Sequence, residues 1–149
     1  MIRLIATDMD ATLLDGNSEL TPRTVRAVRQ AMEAGARFVI ASGRMYETAR
    51  PFAEQLETNA PMIAFNGAMA CDWRTGAPLF TADIPVEIAR GVCAMAEERG
   101  VFIQYFPERG LYYQKRVAAV CDEYEGRVRY HGTETVLPLS QWITCPPLK

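Results

Sequence analysis

Asp8 and Asp10 stand two residues apart in Asp8-Met9-Asp10-Ala11-Thr12, where the apolar run Ile2-Arg3-Leu4-Ile5-Ala6-Thr7 ends. A strand alternates its side chains, so both carboxylates are expected on one side, at the end where open α/β sheets bind ligands. Neighbouring acids in a partly dry cleft repel unless a cation or a donor compensates them. Mg2+ suits the role, because it prefers oxygen ligands and takes one or two carboxylates, with water and phosphate completing its shell. Such a cation also lets an anionic Asp approach an anionic phosphate. A strand-end Asp pair that caps a turn has the same spacing. The spacing alone leaves both readings open.

A second segment with chemical potential is Ser42-Gly43-Arg44, which follows the apolar stretch Phe38-Val39-Ile40-Ala41. Ser42 can donate its hydroxyl to a phosphoryl oxygen, and Gly43 permits close backbone approach. A helix expected over 45–56 would aim its first N–H groups and its dipole at the cleft that holds Asp8 and Asp10. Ser-Gly is also a common turn from strand to helix. Arg44 has two readings: a planar fork for phosphate or a substrate oxygen, or a surface residue on the first helical turn. Asn66 could reach substrate by hydrogen bonding or satisfy the turn after a third strand.

The elements that must carry these residues follow from pattern. The first half alternates strand and helix, which predicts a parallel α/β sheet. Thr21-Pro22 opens a helix, with Thr as cap and Pro in the first position. Val25, Val28 and Met32 recur at helical spacing and Gly35 stops it. Pro51 should kink or divide the helix over 45–56. After Asn66-Gly67 the pattern changes: two short strands, 68–72 and 78–82, flank Trp73-Arg74-Thr75-Gly76-Ala77. Pro85 opens a helix with Ile88, Val92, Met95 and Ala96 on one face, closed by Gly100. Strands over 101–106 and 111–114 should follow, then a helix from Val117 to about Tyr124 ending at Gly126. The expected boundary divides a core, 1–82, from an α+β piece, 83–149.

Composition excludes several classes. The 149 residues are 49% hydrophobic and 23% charged, values of an ordinary globular domain. A formal charge of −2, with basic residues scattered, gives no footprint for nucleic acid. No apolar run approaches a membrane span, and no signal-peptide pattern opens the chain, so the expected location is cytoplasmic. Cys71, Cys93, Cys121 and Cys145 lack paired metal or redox spacing and are expected as buried or half-buried thiols. The Tyr and Phe residues at 102, 105, 106, 112 and 113 fit strand aromatics packing helices better than a base-stacking surface. His131 is expected in a solvated loop or strand.

Asp8-Met9-Asp10-Ala11-Thr12-Leu13-Leu14-Asp15 resembles the first motif of the haloacid dehalogenase (HAD) superfamily. Phe38 to Arg44 resembles its second strand with the Ser/Thr motif. Met62-Ile63-Ala64-Phe65-Asn66-Gly67-Ala68 resembles the third strand with the Asn-Gly-Ala signature of the Cof-type (type IIB) sugar-phosphatase branch. The resemblance implies a Rossmannoid sheet with the start of an α+β cap, and a two-step phosphoryl transfer on small phosphorylated metabolites. Asp8 would be the nucleophile and Asp10 the general acid and base. Thr12 would position Asp10, and Ser42, Gly43, Arg44, Asn66 and Gly67 would line the substrate. Mg2+ would be held by Asp8 and Asp10, the second through its backbone carbonyl.

Two departures from that pattern stand out. Ala11 replaces the usual Gly and would be strained if that position needs a positive φ. The chain also reaches Lys149 before the family's phosphate-holding Lys and second acidic pair. The alternative to an enzyme is therefore a non-catalytic remnant or interaction protein that retains the acids. The strand over 2–7 would then be an edge, which predicts self-association through it.

Overall fold

The computed structural model describes residues 2–149. It contains two compact units, one running to Thr81 and the second spanning Ala82–Lys149.

In the first unit, β1 (Leu4–Thr7) and β2 (Arg37–Ile40) pair in parallel, with Leu4 opposite Arg37 and Thr7 opposite Ile40. The crossover between them is α1 (Pro22–Glu33), which begins as its cap residues dictate: Thr21 Oγ1 accepts from the Thr24 N–H at 3.1 Å. The helix ends at Ala34, and Gly35 takes the left-handed conformation, φ +93°, that only glycine adopts cheaply. Val28 is buried beneath α1. The α2 helix (Tyr46–Leu56) leads from β2 to β3 (Met62–Ala64). Pro51 does not divide α2, which runs through it as one element. A proline here removes a single N–H, while Ala49, Ala53 and Leu56, all completely buried, hold the helix against the core.

β3 joins β2 in parallel through one bridge, Ala41 to Ile63, and continues into an antiparallel pair with β4 (Met69–Cys71) and β5 (Pro78–Thr81). The expected α/β fold and its parallel opening are present. Among the described residues β1 pairs on one side only, and Leu4 is exposed.

The second unit comprises α3 (Val86–Glu98), β6 (Tyr112–Tyr113), α4 (Ala118–Val128), β7 (Thr133–Glu134) and α5 (Leu139–Trp142). β6 and β7 pair in parallel. Two expectations need correction. The strand foreseen over 101–106 is reduced to a bridge from Tyr105 to Tyr112, and 111–114 to two residues. An extended segment becomes a strand only where a neighbouring strand takes its N–H and C=O groups; the Val101 N–H goes instead back to Ala96 O at the end of α3, at 2.9 Å. The α4 helix does not stop at Gly126. It continues to Val128 and ends where Arg129 turns left-handed at φ 54°.

Ala89 and Cys93 are the buried residues of α3, packed with Tyr105, Leu139 and Ile143, whereas its apolar face of Ile88, Val92 and Met95 is exposed. The aromatics pack on one another, with Tyr112 4.8 Å from Trp142 and Tyr105 edge-on to it at 6.1 Å between ring centroids. Cys71, Cys93 and Cys121 are buried free thiols, while Cys145 is exposed, unlike the expectation.

Candidate active site

β1 ends at Thr7, so strand alternation no longer governs the two acids that follow. Met9–Leu13 forms a tight turn pinned by Met9, completely buried, and Leu13, nearly so. Within it Ala11 sits at φ 55°, ψ 14°. This is the left-handed conformation in which a Cβ costs about 1 kcal/mol or more, so the strain foreseen for Ala11 is real.

The turn gives the two acids different surroundings. Asp8 is exposed and lines an open cleft of about 390 Å³ together with Ala41, Ser42, Gly43, Ile63, Asn66 and Gly67. Asp10 is gripped by Arg44 in a two-pronged pair, Nε to Oδ2 at 3.0 Å and Nη2 to Oδ1 at 2.6 Å. Neither reading of Arg44 anticipated this. It precedes α2 rather than lying on its first turn, its side chain is only 4% exposed, and its guanidinium lies 5.4 Å from the Phe52 ring centroid. A buried guanidinium needs an anion or acceptors, and Asp10 supplies both oxygens.

The second and third motif loops are hydrogen-bonded together. Ser42 N–H donates to Ile63 O at 3.0 Å, Asn66 N–H to Ser42 O at 3.2 Å, and Phe65 N–H to Arg44 O at 2.9 Å. Ser42 is buried, and its Oγ accepts from the Arg44 N–H at 3.2 Å. Phe65, Asn66 and Gly67 all have positive φ, at 53°, 58° and 96°, a run of strained backbone of the kind concentrated at functional sites. It brings the Asn66 side chain against Gly43: a Cβ on Gly43 would lie 2.4 Å from Asn66 Oδ1. A side chain at position 43 would therefore have to displace the Asn66 amide. Thr12 is exposed in the turn.

Asp8, Ser42, Gly43, Asn66 and Gly67 therefore come together, while Arg44 serves Asp10 from beneath. Ala41 and Ile63 were missed as lining residues, because nothing in an apolar strand end marks it as a cleft wall. Among the described residues no group of three or more His, Cys, Asp or Glu side chains could hold a metal ion. The exposed Asp8 carboxylate beside an open cleft does suit a hard cation that draws the rest of its shell from water and phosphate. The Asp10 carboxylate, engaged by Arg44, does not suit a second ligand, which leaves its backbone carbonyl.

Residues 5–138 match the haloacid dehalogenase-like hydrolase family. The chain belongs to that family. This HAD-like chain is 28% identical to the pyridoxal phosphate phosphatase YbhA of Escherichia coli K12 over 146 residues, 97% of the chain and 48% of the relative. It is 31% identical over 112 residues to the HMP-PP phosphatase of Yersinia pestis (strain Pestoides F), 75% of the chain and 41% of the relative. A haloacid dehalogenase-like hydrolase from Bacteroides thetaiotaomicron superimposes with a TM-score of 0.85 at 22% identity, over 99% of this chain and 56% of that one. That likeness speaks to the fold. The superfamily and its Cof-type branch, read from three strand-end motifs, are borne out. The HAD-like chain spans about half the length of the curated relatives it matches. None of its helices is long and apolar enough to cross a membrane, among the described residues.

Proposed function

We propose that this chain carries the nucleophile half of a Mg2+-dependent phosphatase site for small phosphorylated metabolites, with residues 1–82 as part of the core and 83–149 as part of a cap. The observation that carries the reading is the exposed Asp8 carboxylate sharing one cleft with Ser42, Gly43, Asn66 and Gly67. In this reading an Asp8 carboxylate oxygen attacks phosphorus, the P–O ester bond breaks, and the alcohol leaves with a proton. Water then cleaves the aspartyl-phosphate and regenerates Asp8. Ser42 and the backbone at Gly43 would hold the phosphoryl oxygens. Mg2+, held by Asp8 and the Asp10 carbonyl, would supply charge neutralisation.

Asp10 would exchange the proton with the leaving alcohol and with water. Both of its oxygens accept from Arg44, an arrangement that matches a proton acceptor. To act as a donor, Asp10 must first surrender one of those bonds. The relatives named above, a pyridoxal phosphate phosphatase and an HMP-PP phosphatase, favour a phosphate ester on a small metabolite as substrate.

A second reading, a non-catalytic remnant, draws support from the engaged Asp10 carboxylate and from the lack of a three-ligand metal cluster among the described residues. Turnover of an aryl phosphate with Mg2+ separates the two. The phosphatase reading expects hydrolysis that Asp8→Asn abolishes. Equal rates for the chain and this variant would end it, and phosphate binding without turnover would favour the remnant.

A further inference from the structure

Left-handed backbone suits glycine and asparagine, and for a bulky side chain it is an outlier. The loop after β3 takes that conformation at Phe65, Asn66 and Gly67 in succession, with φ of 53°, 58° and 96°. Positions 66 and 67 carry the residue types that adopt it readily. Phe65 does not, so something must hold it there.

A strained residue persists where its surroundings over-determine it. Phe65 is only 2% exposed, its N–H donates to Arg44 O at 2.9 Å, and its carbonyl accepts from the Ala68 N–H at 3.1 Å. The following N–H, that of Asn66, donates to Ser42 O at 3.2 Å. Burial and these bonds to the Ser42–Arg44 segment fix the loop from beneath. The side chain next door is in the opposite situation. Asn66 is exposed, and its amide makes no hydrogen bond with any described residue. It nevertheless lies so close to Gly43 that a Cβ there would meet Oδ1 at 2.4 Å. An amide carried on a fixed backbone, yet unengaged at the wall of a cleft, can bond a ligand oxygen and loses little freedom in doing so. A glycine at position 65 would adopt the same φ easily, but it has no side chain to bury and would leave the loop free to turn.

We propose that Phe65 is a positioning residue for the cleft: its buried ring locks the left-handed run, and that run presents the Asn66 amide beside Gly43 to a phosphoryl oxygen. The choice of ligand rests on the phosphatase reading of the cleft, whereas the lock does not.

Amide hydrogen exchange and a titration with inorganic phosphate, both followed by NMR on the 149-residue chain, test it. In the parent the Asn66 N–H should exchange as slowly as the amides of α1. Phe65→Ala should speed exchange at Asn66 about tenfold or more relative to α1, and weaken phosphate binding about tenfold or more. Phe65→Leu, which keeps an apolar side chain to bury, should recover most of both. Leu56→Ala is the control, because Leu56 is completely buried on a different element, α2. It should lower the melting temperature as Phe65→Ala does, yet leave phosphate affinity within about twofold and exchange at Asn66 in step with α1. Equal effects of the two alanine variants would reduce Phe65 to an ordinary core residue and overturn the proposal. Fast exchange at Asn66 in the parent would overturn it too, a result that needs no variant to fold. A protected Asn66 in a parent that gives no phosphate shifts would overturn the choice of ligand, and the phosphatase reading with it, while the lock would stand.

Discussion

Each unit contains an arginine paired with a carboxylate, and the two pairs are built differently. In the first, Asp10 receives two bonds from Arg44, and its side chain remains 36% exposed. In the second, Glu125 is 1% exposed and fully subscribed. It accepts from Tyr113 Oη at 3.0 Å, from the Gly132 N–H at 3.0 Å and from Arg116 Nη2 at 3.0 Å, with His131 Nδ1 at 3.1 Å. Burial would raise the Glu125 pKa, but the Gly132 N–H, His131, Arg116 and Tyr113 outweigh it and bring it down to about 2. Burial in turn pushes the Tyr113 hydroxyl up to about 12, helped by Glu125. A buried carboxylate with both oxygens engaged several times over is a structural tie. One that stays a third exposed can exchange partners with solvent, which chemistry requires.

The largest expected effect tests the structural side. Glu125→Ala leaves Arg116 and the Tyr113 hydroxyl without their acceptor, and removing one member of a buried ion pair costs about 3–5 kcal/mol. Urea denaturation of the chain carrying Trp73→Phe, followed by the fluorescence of Trp142, should register a loss of that order in the second unit. A loss under about 1 kcal/mol would demote Glu125 to an ordinary surface acid.

The same tie fixes the sign of a pH effect. A carboxyl whose folded pKa is depressed contributes stability above its ordinary value, 4.5, and that contribution fades as pH falls toward about 2. Thermal melts of the parent chain should therefore lose stability between those limits, and Glu125→Gln should flatten that part of the profile. An unchanged profile in the variant would mean that other acids control it.

Asp10→Asn is the matched change at the cleft. The amide retains one acceptor but no charge for the buried Arg44, and water reaches the partly exposed side chain at position 10, so the expected cost is about 1.5–3 kcal/mol. The contrast between the two regions holds only if this loss is clearly smaller than that of Glu125→Ala. Comparable losses would make Arg44–Asp10 a second structural tie and would weaken its assignment to proton transfer.

What could be read in advance divides along the same line. Thr21-Pro22 and Gly35 announced α1, because a cap and a left-handed stop are local chemistry. That Asp8, Ser42, Gly43 and Asn66 would share a cleft was legible because each lies at a strand end, and parallel topology sends those ends to one edge. Arg44 was misread because its fate rests on Asp10 and Phe52, residues 34 and 8 positions away. The apolar face of α3 was legible, but not that Ile88, Val92 and Met95 stay exposed, because periodicity reports that a face is apolar without saying which neighbour covers it. The strand over 101–106 failed for a related reason: propensity proposes a strand, but hydrogen-bond partners make one.

The smallest effect concerns the backbone that separates the two acids. Ala11 takes φ 55° so that the chain can turn between Met9, locked in the core, and Asp10, held by Arg44. Both neighbours are fixed, so the strain cannot relax by moving the turn. Ala11→Gly removes the Cβ that opposes this conformation, and should stabilise the folded chain by about 1 kcal/mol at most, offset in part by the greater entropy of glycine in the unfolded chain. A loss of stability on that substitution would mean that the left-handed turn is not what the folded chain adopts. In that case the divergence of Asp8 and Asp10, which depends on this turn, would have to be abandoned with it.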